Sequence, residues 1–335
     1  MAFLEATALS RDFAPRLSVG DRIAALFGGA VETRPVRAVD NVSLELARGE
    51  TLGLVGESGC GKSTLGRMIA GTLTPTRGTV TLDGASVMRG GRKVTTRIQT
   101  VFQDPFASLD PRMLIGETVA EGPLAHGRIS RTEAPAFVAK WLQMVGLDMD
   151  HAARYPHQFS GGQRQRVAIA RALAMGPDVL VCDEPVASLD VSIQAQIINL
   201  FLGLRRELHL TMLFISHDLG VVRHLADRVA VMYLGQVVEL GASAEVYRAP
   251  RHPYTHALIA AVPKLSAAKA DFTPIAGEVP SPLNPPSGCV FHPRCPLAVE
   301  RCRTERPSLR AVAGRAVACH RAEEVPAALA PAVPA

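Results

Sequence analysis

The chain has 335 residues, 47% of them apolar, enough for about two domains with buried cores and too many for a disordered chain. Its 36 basic and 31 acidic residues leave a formal charge of +5, too small and too dispersed to imply nucleic-acid binding by itself. No run approaches the roughly 18 to 20 apolar residues of a membrane span, and Glu5 interrupts the apolar core a signal peptide needs, so the chain is expected to stay in the cytosol.

In chain order, β-rich runs at Thr51–Val55, Val179–Asp183, Thr211–Ser216 and Arg228–Tyr233 alternate with helical stretches, which predicts an α/β fold with a largely parallel sheet. Thr79–Asp83 followed by Gly84 reads as an antiparallel hairpin appended to that sheet. From Asp104 to about Ala174 strand signals vanish; Thr132–Met144 and Gln163–Ala174 read as helices of a helical insert. Val191–Leu208 carries Ile193, Ile197, Leu200, Phe201, Leu204 and Leu208 at spacings of three and four, a core-facing helix. After about Pro263, proline becomes dense (Pro274, Pro280, Pro282, Pro285, Pro286) and four cysteines follow, marking a small irregular module. The expected boundaries are 1–262 for the main domain with its insert at about 104–174, 263–324 for the module, and 325–335 for a disordered tail.

GESGCGKST, Gly56 to Thr64, follows the apolar strand Leu52–Val55 and precedes the helical run Leu65–Ala70, the pattern and context of a P-loop. Its glycines turn backbone N–H groups toward a β-phosphate, and the helix N-terminus adds its dipole. Lys62 reaches the β- and γ-phosphates, Ser63 offers its hydroxyl to Mg²⁺ and Thr64 the α-phosphate. Gly56, Ser58, Gly59, Cys60, Gly61, Lys62, Ser63 and Thr64 are thus the expected nucleotide-phosphate-binding set. Downstream, VLVCDE from Val179 to Glu184 is an apolar strand ending in two carboxylates. On a strand the two point to opposite sides and should have different jobs, so Asp183 fits the Mg²⁺ shell and Glu184 a base that polarises the attacking water.

FSGGQRQRVAIARAL, Phe159 to Leu173, closely resembles the signature motif of ABC-transporter ATPases. On that resemblance, Gln103 in VFQDP is similar to the Q-loop glutamine, which also faces Mg²⁺ and couples nucleotide state to a membrane partner. Ser188-Leu189-Asp190 resembles the D-loop, with ASLD where SALD is usual, and His217 in FISHD the switch histidine that holds the γ-phosphate and the water. The family implies a mixed-sheet P-loop core with an antiparallel appendage and a helical subdomain. It also implies ATP sandwiched between two subunits, the P-loop of one facing Ser160, Gly161, Gly162 and Gln163 of the other. Ser160 and its glycines open a helix, a second anion-binding N-terminus that reaches a γ-phosphate only across a dimer interface. An adenine-stacking aromatic is expected in the first strand, where Phe13 stands in place of the family's usual tyrosine, with Val36 or Ala38 lending apolar contact. Phe13 equally suits a core position; the lesser alternatives are His217 as a helix cap and Gln103 as an ordinary surface amide.

HPYTHALIAAVP, His252 to Pro263, and GEVPSPLNPPSGCVFHPRCPLA, Gly277 to Ala298, resemble the C-terminal extension of the ATPases of dipeptide, oligopeptide and nickel importers. CDEPVASLDVSIQAQI and YPHQFSGGQ are similar to the second of two paralogous ATPases in that group. The resemblance implies a heterodimer with the paralogue, two membrane permeases, an external substrate-binding protein and a place on the cytoplasmic face of the inner membrane, with no direct nucleic-acid contact. Cys289, Cys295, Cys302 and Cys319 are spaced C-x5-C-x6-C-x16-C, without the paired C-x2-C knuckles of a zinc ribbon. Four thiolates can close a metal site; the family implies a [4Fe–4S] cluster, with no metal at all or zinc as the alternatives, and a metal would staple a module with little core of its own. Cys60 and Cys182, inside the ATP motifs, read as packing residues.

A soluble ABC ATPase acting on DNA or ribosomes is the competing class. The interval from Gln103 to Ser160 is too short for the long coiled coil of the first kind, and one P-loop is too few for the second. A regulatory role for the Cys-rich tail could coexist with transport.

Overall fold

A computed structural model describes residues 2–14, 35–261 and 277–326. Residues 15–34, Pro263, Pro274 and the tail from residue 327 lie outside the described residues. Fourteen strands are described: β1 Leu4–Phe13, β2 Val36–Leu46, β3 Thr51–Val55, β4 Arg77–Leu82, β5 Ala85–Ser86, β6 Met88–Arg89, β7 Arg92–Lys93, β8 Ile98–Val101, β9 Val179–Asp183, β10 Thr211–Ile215, β11 Arg228–Tyr233, β12 Gln236–Ala242, β13 Arg310–Val312 and β14 Arg315–Val317.

Eight of these form one sheet in the order β13-β14-β12-β11-β3-β10-β9-β8. The run β11-β3-β10-β9-β8 is parallel throughout, while β12, β14 and β13 are added antiparallel. Every residue of β3, β9 and β10 is buried, which is why these strands read as unbroken apolar runs rather than alternating ones. A second, antiparallel sheet has the order β2-β1-β4-β5. The helix Lys62–Ile69 is clamped between the two: its Leu65, Met68 and Ile69 share one buried cluster with Leu4 and Leu9 of β1 and with Val181 and Ile215 of the parallel strands.

The helical insert contains Ile115–Ala125, Ala134–Met144 and Gly161–Ala174, packed on one another. The helix Val191–Leu208 has the expected bounds and buries Ile197, Phe201 and Leu204; Ile193, Leu200 and Leu208 are only partly covered. Among the described residues no helix is long and apolar enough to cross a membrane.

The C-terminal module contributes β13 and β14 to the edge of the main sheet, with Glu239 opposite Val317 and Leu240 opposite Ala316. Its Cys289, Val290, Phe291 and Cys302 pack into the same buried cluster as Val55, Tyr233 and Tyr254 of the main domain. Arg315 of β14, 3% exposed, lies 3.5 Å from the wholly buried Glu239. Its Nη1 also donates to the carbonyls of Glu245 and Ala249, at 2.7 and 2.8 Å. Val325, placed by the sequence reading in the tail, is buried.

Candidate active site

The parallel register assembles the site. Ile215 of β10 stands beside Leu54 of β3 and Asp183 of β9, and Val101 of β8 stands beside Cys182, so the carboxyl ends of four neighbouring strands finish at one edge. From that edge emerge the P-loop after β3, His217 after β10, Asp183 and Glu184 at the end of β9, and Gln103 after β8. Open α/β sheets bind ligands at this edge, because loops and helix N-termini there carry free N–H groups.

Two glycines show why the P-loop needs its sequence. Gly56 has φ 153° and Gly61 φ 104°, and a Cβ on either would stand 2.1 Å from a backbone oxygen, that of Met232 or Ala38. No side chain can be accommodated there without moving backbone. Gly61 directly precedes the helix Lys62–Ile69. Lys62, 3% exposed, donates from Nζ to the carbonyls of Gly56 and Glu57, both at 2.9 Å, so the ammonium is held over the loop. Ser63 Oγ donates to Asp183 Oδ1 at 2.7 Å. Burial pushes the Asp183 carboxyl above its ordinary pKa, and the Ser63 hydrogen bond opposes that shift.

The two carboxylates separate for a reason other than strand alternation. β9 ends at Asp183, and Glu184 takes a left-handed conformation, φ 47°, costly for a residue with a Cβ. Its N–H is pinned to the Ile215 carbonyl at 3.0 Å. The turn delivers Glu184 Oε2 to 3.1 Å from His217 Nδ1 and 3.3 Å from Gln103 Nε2. Three predicted residues from three strand ends thus meet on one carboxylate oxygen. His217 is not the cap of the helix Leu219–Leu225; Asp218 is, accepting from the N–H groups of Gly220 and Val221.

Ser160, Gly161, Gly162 and Gln163 form a separate group. Ser160 caps the helix Gly161–Ala174: its hydroxyl accepts from Gln163 N–H at 3.4 Å, while Gln163 Oε1 accepts from Ser160 N–H at 3.0 Å. Among the described residues no hydrogen bond joins this group to the P-loop edge. It abuts the segment around Asp190 instead, since a Cβ on Gly162 would stand 2.5 Å from Ile193 and one on Gly161 3.6 Å from Leu189. Asp190 is the residue before the helix Val191–Leu208 and its carbonyl accepts from Gln194 N–H at 2.8 Å. Phe13 closes β1 opposite Val36, 37% exposed, with the Arg11 guanidinium 4.8 Å from its ring centre; it is not a core residue.

Sequence reading passed over Glu57. Its N–H donates to Tyr254 Oη at 2.8 Å, and its carboxylate takes a forked pair from Arg294, at 2.7 and 3.0 Å. Both partners lie some two hundred residues away, and no spacing rule connects them to the loop.

Cys60 and Cys182 are buried, and burial raises both thiols above their ordinary pKa, in keeping with packing roles. Cys289, Cys295, Cys302 and Cys319 come from four different local elements yet lie near enough for a charge on one to be felt by others. Burial first, and neighbouring thiols to a lesser degree, push Cys289, Cys295 and Cys319 up to about 11. These sulfurs are therefore protonated at neutral pH, and a thiol ligates only after losing its proton. Among the described residues no group of three or more His, Cys, Asp or Glu is placed to hold a metal ion, so the four-cysteine ligand set is not preformed.

Residues 39–187 match the ABC transporter family and residues 238–302 the oligopeptide/dipeptide transporter C-terminal region. A putative peptide import ATP-binding protein of Brucella abortus is 52% identical over 290 residues, covering 85% of this chain and 86% of the relative. One of Brucella ovis is 51% identical over 282 residues, covering 83% and 89%. Among solved structures, CbiO1 of Clostridium perfringens, part of the ABC transporter complex CbiONQ, superposes with a TM-score of 0.60 at 29% identity, covering 73% of this chain and 90% of that one. A dimeric ATP-binding cassette in a post-hydrolysis state with ADP and Pi gives 0.59 at 26%, covering 72% and 98%. The chain belongs to the ABC transporter ATP-binding proteins, in the group that carries the oligopeptide/dipeptide transporter C-terminal region.

Proposed function

We propose that this chain is an ATPase subunit that powers import of di- and oligopeptides through partner membrane permeases, without itself touching the peptide. The carrying observation is the meeting of Gln103, Glu184 and His217 on one oxygen beside the P-loop, together with relatives named for peptide import. Gly56, Ser58, Gly59, Cys60, Gly61, Lys62, Ser63 and Thr64 take the phosphates, and Phe13 the adenine. The donor set fits Mg²⁺: Ser63 and Gln103 offer oxygens, and Asp183 orients the Ser63 hydroxyl. Bound there, the ion would neutralise charge on the phosphates. Glu184 accepts a proton from the attacking water, while His217 holds the Glu184 carboxylate and the γ-phosphate in line.

Ser160, Gly161, Gly162, Gln163 and Asp190 serve the site of a second subunit. The exposure of Ser160 and the free-standing cap at that helix support this, as does the dimeric neighbour with ADP and Pi. The partner is a paralogous ATPase, the pair sits at the cytoplasmic face of the inner membrane under two permeases, and an external binding protein supplies the peptide. An apolar cavity of about 510 Å³ in the helical insert, lined by residues such as Leu114, Ala120, Leu124 and Val138, suits a permease contact. The four module cysteines take a [4Fe–4S] cluster, zinc being the alternative. Their shared neighbourhood supports this, and ligation requires the thiols to deprotonate and close up. Anaerobically purified protein then shows iron–sulfur absorbance that Cys302→Ser bleaches; stoichiometric zinc, or a spectrum the substitution leaves unchanged, overturns the cluster.

The functional test is uptake of labelled di- and oligopeptides by cells expressing the wild type or Glu184→Gln, with nickel run in parallel. Peptide uptake lost only in the variant supports the reading. Intact peptide uptake with reduced nickel uptake transfers the chain to the metal branch.

A further inference from the structure

The P-loop is a short glycine-rich turn, and such a turn binds phosphate well only if its N–H groups are already aimed inward; otherwise ordering it subtracts from affinity. In this chain every polar group of Glu57, the second residue of the loop, is engaged. Its carbonyl accepts from Lys62 Nζ at 2.9 Å and from Cys60 N–H at 3.3 Å, which are contacts within the loop. Its N–H and its carboxylate leave the loop altogether. The N–H goes to Tyr254 Oη, in the helix Pro253–Ala260, and the carboxylate to the Arg294 guanidinium, in the short 3-10 turn His292–Arg294.

Those two partners are themselves fixed. Tyr254 is wholly buried, with its ring centre 4.6 Å from that of Tyr233 and 5.3 Å from that of Phe291. The Arg294 side chain is 4% exposed, and its Nη1 also reaches Tyr233 Oη at 3.4 Å. A forked guanidinium–carboxylate pair at this depth fixes direction as well as distance, which a single ammonium contact does not.

We infer that Arg294, with Tyr254, is a positioning residue for nucleotide binding: the C-terminal extension braces the P-loop through Glu57 and holds the loop open for phosphate. This rests on the reading of Gly56–Thr64 as the phosphate site and adds to it a residue that no loop motif contains. Arg294 acts through Glu57 rather than on the nucleotide. Its removal therefore loosens the loop without altering the groups that meet on Glu184.

The test is equilibrium binding of a fluorescent methylanthraniloyl ATP with Mg²⁺ to the full chain. Arg294→Met, which keeps bulk and drops the fork, is expected to weaken binding about ten-fold, and Glu57→Gln by a similar factor. The double variant is expected to bind no worse than either single one, because both remove the same pair. Arg294→Lys, with charge but no fork, is expected to recover about half of the loss on a logarithmic scale. Tyr254→Phe deletes only the hydroxyl and keeps the ring packing, so it decides the matter if Arg294→Met fails to fold; about a three-fold weakening is expected. Wild-type binding with Arg294→Met and Tyr254→Phe both within two-fold of it overturns the brace, as do losses that multiply in the double variant. A wild type that binds no nucleotide overturns the P-loop reading itself, and the brace with it.

Discussion

Asp183, Glu184, His217 and Gln103 each lie within two residues of the end of a strand of the parallel run, whereas the C-terminal module has two three-residue strands, a five-residue helix and long-range pairs. The strand ends receive their geometry from register, which fixes neighbours residue by residue along the whole parallel run. The module receives its geometry from a few anchors: Phe291 in an aromatic box, Arg294 on Glu57, Arg315 beside Glu239, Arg306 on Asp40 at 2.6 Å. A site built on register tolerates loss of one side chain and loses only that side chain's chemistry. A module built on anchors is expected to fail through any one of them, and to disturb the loop it braces.

The largest effect separating the two is expected at Phe291, whose ring is 1% exposed and lies 5.3 Å from the ring centres of both Tyr233 and Tyr254. Phe291→Ala should destabilise the protein by about 3–5 kcal/mol, read from urea midpoints, because the box cannot collapse around the missing ring. Nucleotide affinity should fall in the same variant, since Arg294 and Tyr254 lose their seat. A loss under about 1 kcal/mol with unchanged affinity would detach the module from the loop and dissolve the contrast.

At the strand ends the matching change is Glu184→Gln. The amide keeps the shape of the side chain and its contact with His217, so the fold and ATP binding should persist while phosphate release falls at least about 100-fold. Near-normal turnover would remove Glu184 from the role of base, whatever its neighbours.

Legibility in the sequence follows the same division. β3, β9 and β11 have the expected bounds because buried parallel strands are plain apolar runs, and the helix Val191–Leu208 because its apolar residues recur every third and fourth position. The helix Ile115–Ala125 was not visible: Gly116, Gly122 and Pro123 argue against a helix locally. Packing overrides them, with Gly122 so close to Met175 that a Cβ would stand 2.6 Å from its sulfur. The site residues are legible as motifs, but the separation of Asp183 from Glu184 comes from a left-handed turn at Glu184 and not from the strand alternation that the sequence predicts. Backbone strain leaves no periodic trace in a sequence. The module's attachment was illegible for a different reason: the partners Glu57–Arg294 and Glu239–Arg315 are single residues far apart in the chain, and pairing at that range is decided by the finished fold.

A finer and smaller effect tests how firmly the extension is packed. His252 is wholly buried at the start of the helix Pro253–Ala260; its Nδ1 accepts from Tyr254 N–H at 3.0 Å, and its own N–H donates to Glu239 at 2.9 Å. Burial lowers its pKa from 6.5 to about 3, so the ring is neutral in the folded protein at any pH near neutrality. The unfolded chain takes up the proton first as pH falls. The corresponding stability is therefore fully present above about pH 6.5 and is lost progressively toward pH 3, by up to about 1.4 kcal/mol per pH unit. His252→Asn keeps a side-chain oxygen able to cap the helix but has nothing to titrate. Urea midpoints measured from pH 7.5 down to pH 5 should fall more steeply for the wild type than for this variant. Parallel curves would mean that the histidine gains its proton inside the folded protein, and that the extension opens there more readily than its packing implies.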